Sequence, residues 1–299
     1  MEDQWEIPEP LATAEIAVTD GATSVLRRHG NPDGPRLVLC HGNGLAADLY
    51  YPFWSLLADR FDIVLYDLRN HGWSSSTDIR THNIATFVSD NAHIFQGIDR
   101  HFGEKPKIGV FHSLSAVVAL NHEPPGEEFA ALVLFDPPIY PPSGDPLEVD
   151  ALWRRSGIVA QMRQEWFGSH EDFADMLRRL PTFGRLQPGV VELFAETTLR
   201  PASRGRGYKL RCPREYESCI FEYSFAYNFE PHAHDIACPI KVIGGDPTMP
   251  LSFLPSMDLT GLAGLDYDFV PETTHFLQLE NPRECAEIML EFLEDQGVA

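Results

Sequence analysis

Short apolar runs bounded by turn residues recur along this chain, and their length is that of buried strands. Arg36-Leu37-Val38-Leu39-Cys40, Asp62-Ile63-Val64-Leu65-Tyr66, Lys107 to Phe111, Ala131-Leu132-Val133-Leu134-Phe135 and Ile240-Lys241-Val242-Ile243 are such runs. Their near-continuous apolar character is that of strands covered on both faces. Leu265 to Val270 forms a last strand-like run. Between these segments the apolar period changes to that of a helix. Ile84, Phe87, Val88, Ile94, Phe95 and Ile98 share one face over about Asn83 to His101, and Cys285, Ile288, Met289, Phe292 and Leu293 form a stripe that Pro282 can open. Strand alternating with helix predicts an α/β architecture, a mostly parallel twisted sheet flanked by helices. Such sheets place their ligands at the carboxyl ends of the strands. Asn43, Asp67, Ser113, Asp136 and Asp246 all follow strands.

The alternation breaks between about Ile139 and His234. Trp153, Met162, Trp166, Phe167, Met176, Leu177 and Leu180 predict helices there. The expected division is a core domain of residues 1–138 and 235–299 and a mainly helical cap of residues 139–234 over the strand ends. The proline-rich stretch from Pro137 to Pro142 reads as the rigid entry to that cap. Within it, Arg200, Arg204, Arg206, Lys209, Arg211 and Arg214 form a basic patch. A solvated loop pairing with surface carboxylates accounts for such a patch, and the sharper alternative is one arginine that holds a substrate carboxylate.

Charge and cysteine usage narrow the function classes. The 299-residue chain carries 44 acidic and 23 basic residues, a formal charge of −21, which repels nucleic acid and anionic lipid. No apolar run approaches the roughly 20 residues of a membrane span. Met1 to Pro10 has no basic residue and no apolar core, so no secretory signal is expected and a cytoplasmic location fits. The five cysteines are scattered and form no C-x-x-C pair, which argues against a disulfide framework and against a zinc site.

Candidate chemistry centres on Lys107 to Leu120, which reads as a strand, a sharp turn carrying Ser113, and a small-residue helix. A serine on such a turn stands clear of its neighbours beside backbone N–H groups that can hold an oxyanion. The usual pattern is G-x-S-x-G; here Phe111 and Ser115 occupy the glycine positions. A core helix merely capped by Ser113 is the plainer alternative. A serine nucleophile requires a base, and the base requires a carboxylate to fix its tautomer. Asp246, after Gly244-Gly245, and His275 follow in chain order.

Taken together these residues resemble the α/β-hydrolase fold family, over about Arg36 to Phe292. Leu39-Cys40-His41-Gly42-Asn43-Gly44 is similar to its oxyanion loop, and Asp67-Leu68-Arg69-Asn70-His71-Gly72-Trp73-Ser74 to its Asp-x-Arg-Gly-His-Gly-x-Ser loop. His112-Ser113-Leu114-Ser115 is similar to the nucleophile turn, and Thr274-His275-Phe276 with Glu280-Asn281-Pro282 to the histidine loop. The resemblance implies a catalytic set of Ser113, Asp246 and His275, with the backbone N–H groups of Asn43 and Leu114 as the oxyanion hole. Asp136 is the alternative acid, because some members place the carboxylate there, and Ser115 is a rival nucleophile. His41, His71 and His112 are expected to brace the site by donating to backbone carbonyls. The implied activity is a serine hydrolase that cleaves a carboxylic ester or lactone through an acyl-enzyme on Ser113, without a cofactor. Trp153, Trp166, Phe167 and Phe183 suit a small-molecule substrate with an apolar or aromatic group. A carbon–carbon bond hydrolase, a cofactor-free oxygenase and a non-catalytic binding protein are the alternatives on the same fold.

Overall fold

The apolar runs form strands because both of their faces are covered. In the strand Arg36–Cys40, Leu37 and Leu39 join one hydrophobic cluster while Val38 and Cys40 join the other, and Val133 and Leu134 divide in the same way in the strand Ala131–Phe135. Each fully buried aliphatic or aromatic side chain contributes roughly 1.5–3 kcal/mol. The computed structural model describes residues 5–138, 146–202, 205–224, 235–249 and 265–298.

The strands of the core are β1 (Ala12–Ala17), β2 (Thr23–Gly30), β3 (Arg36–Cys40), β4 (Asp62–Leu65), β5 (Lys107–His112), β6 (Ala131–Phe135), β10 (Ile240–Gly245) and β11 (Asp266–Val270). They make one 8-stranded sheet in the order β1-β2-β4-β3-β5-β6-β10-β11. The pairs from β4 to β11 are parallel, and β1 and β2 close one edge antiparallel. The core helices are α1 (Tyr51–Trp54), α2 (Ile84–Phe102), α3 (Leu114–Leu120), α8 (Leu277–Glu280) and α9 (Pro282–Asp295). α2 and α3 cover one face, and α1, α8 and α9 the other. Asn83 caps α2 by accepting from the Thr86 N–H at 2.9 Å, and Asn281 caps α9.

The inserted segment carries α4 (Pro146–Gln161), α5 (His170–Arg178), α6 (Val190–Thr198) and α7 (Arg214–Ser224), as its sequence predicts. Trp166 and Phe167, expected in a helix, instead form β7 (Trp166–Phe167), which with β8 (Leu199–Pro201) and β9 (Tyr208–Leu210) makes a small antiparallel sheet. Strands this short bury too few residues to leave a period in the sequence. The expected cap boundaries at residues 139 and 234, and the entry from Ile139 to Pro142, lie outside the described residues.

Candidate active site

Ser113 occupies the tip between β5 and α3 with φ 52° and ψ −114°. An L residue held in such a region stores about 1–3 kcal/mol of strain. The surrounding backbone enforces it: the Ser113 N–H donates to the Phe135 carbonyl at 2.9 Å, and its own carbonyl accepts from Ala116 and Val117 at 3.1 and 3.2 Å. The two non-glycine residues of the turn are each accommodated. The Phe111 ring is fully buried and turned away, edge-on to Phe129 at 5.5 Å. The Ser115 hydroxyl accepts from the His112 N–H and lies 3.0 Å from the Cys40 carbonyl, tying β5 to β3. Its full burial makes it part of the scaffold rather than an exposed nucleophile.

His275 stands over this turn. Its Nε2 lies 3.0 Å from Ser113 Oγ, and its Nδ1 lies 2.6 Å from Asp136 Oδ2. An ionised carboxylate only accepts, so Nδ1 carries the proton and Nε2 presents its lone pair to the serine. Asp136 is completely buried, has φ 38°, and accepts a second bond from the Gly245 N–H at 3.3 Å.

The carboxylate favoured from the sequence, Asp246, does not reach the histidine. Its oxygens accept from the Thr248 N–H and hydroxyl at 2.8 and 2.7 Å and from the Glu272 N–H at 2.9 Å. The Thr248 hydroxyl first, then the two N–H groups, hold Asp246 below the usual carboxylate range. Strand order is the reason. β6 lies directly beside β5, with Phe135 opposite His112, so Asp136 emerges opposite Ser113. β10 is one strand further out, and Asp246 lies beyond its end.

The loop after β3 runs against the serine. A Cβ at Gly42 would lie 3.2 Å from Ser113 Cβ and 2.8 Å from His112 Nδ1, so only glycine lets the loop approach this closely. Buried histidines brace it. His71 Nε2 accepts from the Gly44 N–H at 3.1 Å while Nδ1 donates to the Arg69 carbonyl at 3.0 Å. His41 Nε2 accepts from Leu68 N–H at 3.1 Å and Nδ1 donates to the Gly42 carbonyl at 2.7 Å. His112 links the loop to His275: the Tyr50 hydroxyl, which accepts from Gly42 N–H at 3.2 Å, lies 2.6 Å from Nδ1, and Nε2 donates to the His275 carbonyl at 2.8 Å. Burial holds all three histidines below their ordinary pKa and therefore neutral.

The sequence profile described as the alpha/beta hydrolase family matches residues 37–288, which includes every element named above from the β3 strand to the histidine loop. The chain belongs to the alpha/beta hydrolase family. Among solved structures, this hydrolase resembles E-2-(acetamidomethylene)succinate hydrolase at a TM-score of 0.75 and 18% identity, over 95% of this chain and 99% of that one. The thioesterase domain from the curacin biosynthetic pathway aligns at a TM-score of 0.69 and 18% identity, over 93% and 99%. A protein of Mycobacterium bovis named "Probable oxidoreductase EphD" is 42% identical over 72 residues, 24% of this chain. That match spans only 12% of the length of the curated relative.

The hydrolase explains its departures from the family pattern. Asn70 has φ 67°, a conformation asparagine tolerates better than other side-chain-bearing residues, and its Oδ1 accepts from Thr77 N–H at 2.6 Å. Asp67 binds the N–H groups of Ala47 and Trp73 at 2.8 and 3.0 Å and the Arg27 guanidinium at 2.8 Å. Burial pushes Asp67 up, but the Arg27 guanidinium together with these N–H donors outweighs it and holds Asp67 well below the usual carboxylate range.

Of the cap aromatics, Trp153 is buried against Phe221, Phe167 packs on Phe173, and Trp166 is exposed. Phe183 meets Phe276, the residue next to His275, at 5.4 Å. Three cations of the basic patch take separate partners. Arg200 bonds Ser76, Arg211 bonds the Gly72 carbonyl, and Arg214 pairs with Glu215; Arg204 lies outside the described residues. Sequence reasoning missed Tyr50, Arg163 and Glu217, and named Glu280 only as part of the histidine-loop motif. Glu280 is buried, and its carboxylate binds the Thr274 N–H and hydroxyl, each at 2.6 Å, next to His275. Among the described residues no group of three or more His, Cys, Asp or Glu side chains is placed to hold a metal, and no helix is long and apolar enough to cross a membrane.

The neutral histidines carry a stability prediction. His82 is pushed down to about 3 by burial, and His41, His71 and His112 are lowered for the same first reason. The unfolded chain therefore binds protons first as pH falls below about 6.5. Stability should be level above that pH and decline below it, by about 1.4 kcal/mol per pH unit for each such histidine, until the folded-state values are reached. Urea unfolding from pH 8 to pH 4 measures this; a midpoint constant over that range contradicts it.

Proposed function

We propose that this hydrolase cleaves a carboxylic ester or lactone through an acyl-enzyme on Ser113. The observation that supports the reading is the continuous relay from Ser113 Oγ to His275 Nε2 at 3.0 Å and from His275 Nδ1 to Asp136 at 2.6 Å. A serine hydroxyl is a poor nucleophile at neutral pH, and this arrangement supplies both the base and the group that fixes its tautomer. Ser113 Oγ attacks the carbonyl carbon while its proton passes to Nε2. Asp136 stabilises the resulting imidazolium. The negative oxygen is received by the backbone N–H groups of Asn43 and Leu114, the second being the first helical residue, whose N–H has no partner within the helix. The carbon–oxygen bond to the leaving alcohol then breaks, and the alcohol takes the proton from Nε2. Water enters, gives a proton to His275, and attacks the acyl carbon; Ser113 recovers that proton as the acid departs.

Phe183 and Phe276 beside the base favour a small substrate with an apolar or aromatic group. A panel of esters and lactones varied in acyl and alcohol size, run in parallel on wild type and on Ser113→Ala, tests the assignment. Turnover by wild type alone supports it, and equal turnover by both proteins contradicts it.

A further inference from the structure

We propose that the cap takes part in the chemistry: helix α7, through the side chain of Asn43, sets the position of the Asn43 backbone N–H that receives the oxyanion. This rests on the reading of that N–H as an oxyanion donor.

Asn43 lies between Gly42 and Gly44, two residues with no side chain to fix the peptide between them, and Gly44 has φ +73°. The core holds the loop on either side of it, at Gly42 through Tyr50 and at Gly44 through His71. The bond to Asn43 itself comes from above. Its Nδ2 donates to the Glu217 carbonyl of α7 at 2.9 Å, across 174 residues of chain. The same residue of α7 also packs on the loop, since a Cβ at Gly44 would lie 2.9 Å from the Glu217 carboxylate carbon. Glu217 is buried, and its carboxylate is ion-paired with Arg163, which follows α4. α7 is thus fixed above the loop by the Glu217 carboxylate on Arg163 and by Tyr216, whose hydroxyl donates to the Thr77 carbonyl at 2.9 Å, and it grips the loop through the Glu217 carbonyl. A mislocation of an oxyanion donor by about 1 Å costs up to 10²-fold in rate.

Asn43→Ala keeps the backbone N–H and removes the grip. With an ester that wild type turns over, kcat should fall by about 10- to 100-fold and KM should change by less than about 2-fold. Phenylboronic acid, which forms a tetrahedral anion on a serine, should bind more weakly by the same factor as kcat. Asn43→Asp has the same shape but presents a carboxylate to the Glu217 carbonyl, so it should be no better than alanine. A packing role predicts the opposite ranking, with aspartate near wild type. Retention of kcat and of boronate affinity in Asn43→Ala overturns the proposal, and so does a change confined to KM, which would mean that the side chain touches substrate instead. Should Asn43→Ala not fold, Arg163→Met, which frees Glu217 and leaves Asn43 intact, should reproduce the parallel loss in kcat and boronate affinity, and its failure to do so has the same force. A wild-type protein that neither turns over esters nor reacts with a fluorophosphonate removes the serine-hydrolase reading and this inference with it. A reactive wild type with an unaffected Asn43→Ala removes this inference alone.

Discussion

Ser113→Ala is expected to lower ester turnover by roughly 10³-fold or more and to leave the unfolding transition near that of wild type. The large loss follows from the proposed mechanism, in which the hydroxyl is both nucleophile and proton donor to His275. Ser115, two residues on, is fully buried and bonded to the backbone of β3 and β5. The small structural effect follows because the turn is held by main-chain bonds to Phe135, Ala116 and Val117, none of which uses the serine side chain. Steady-state kinetics with a purified, cooperatively unfolding variant measures the effect. Unchanged turnover would remove Ser113 from the chemistry.

Asp136→Asn is expected to lower kcat/KM on the order of 10⁴-fold. An amide at this position would turn its NH₂ toward His275 Nδ1 and force the proton onto Nε2. The base would then face the serine with a donor rather than a lone pair. The amide oxygen can still accept from Gly245, so the strand ends should stay together. Asp246→Asn should cost no more than a few-fold, because its partners are Thr248 and Glu272, on the turns that follow β10 and β11. The comparison is made on the same ester with both variants folded. The reverse ranking would move the orienting acid to Asp246, and equal mild losses would exclude both.

The parts of this molecule legible in its sequence are those whose cause is local. Runs such as Leu37 to Cys40 and Leu132 to Phe135 announce strands because both faces are buried, and Asn83 and Pro282 mark helix starts because their side chains act on the adjoining turn. The β1–β2 edge escaped because its half-exposed strands carry polar residues that read as loop, although Arg27 within β2 is buried against Asp48 and Asp67. The choice between Asp136 and Asp246 was not legible, because both lie between serine and histidine in chain order. Only the lateral order β5-β6-β10 separates them, and that order is a property of the folded sheet. The approach of Glu217 to Asn43 was hidden for the same reason, since the two are brought together only by docking of the cap.

The most direct test of the relay from Ser113 through His275 to Asp136 is labelling with a fluorophosphonate, followed by peptide mapping of the adduct. The account predicts a single adduct on Ser113, formed rapidly in wild type, slowly in Asp136→Asn, and not at all in Ser113→Ala. An adduct on Ser115, or labelling of Ser113→Ala at the wild-type rate, would contradict it.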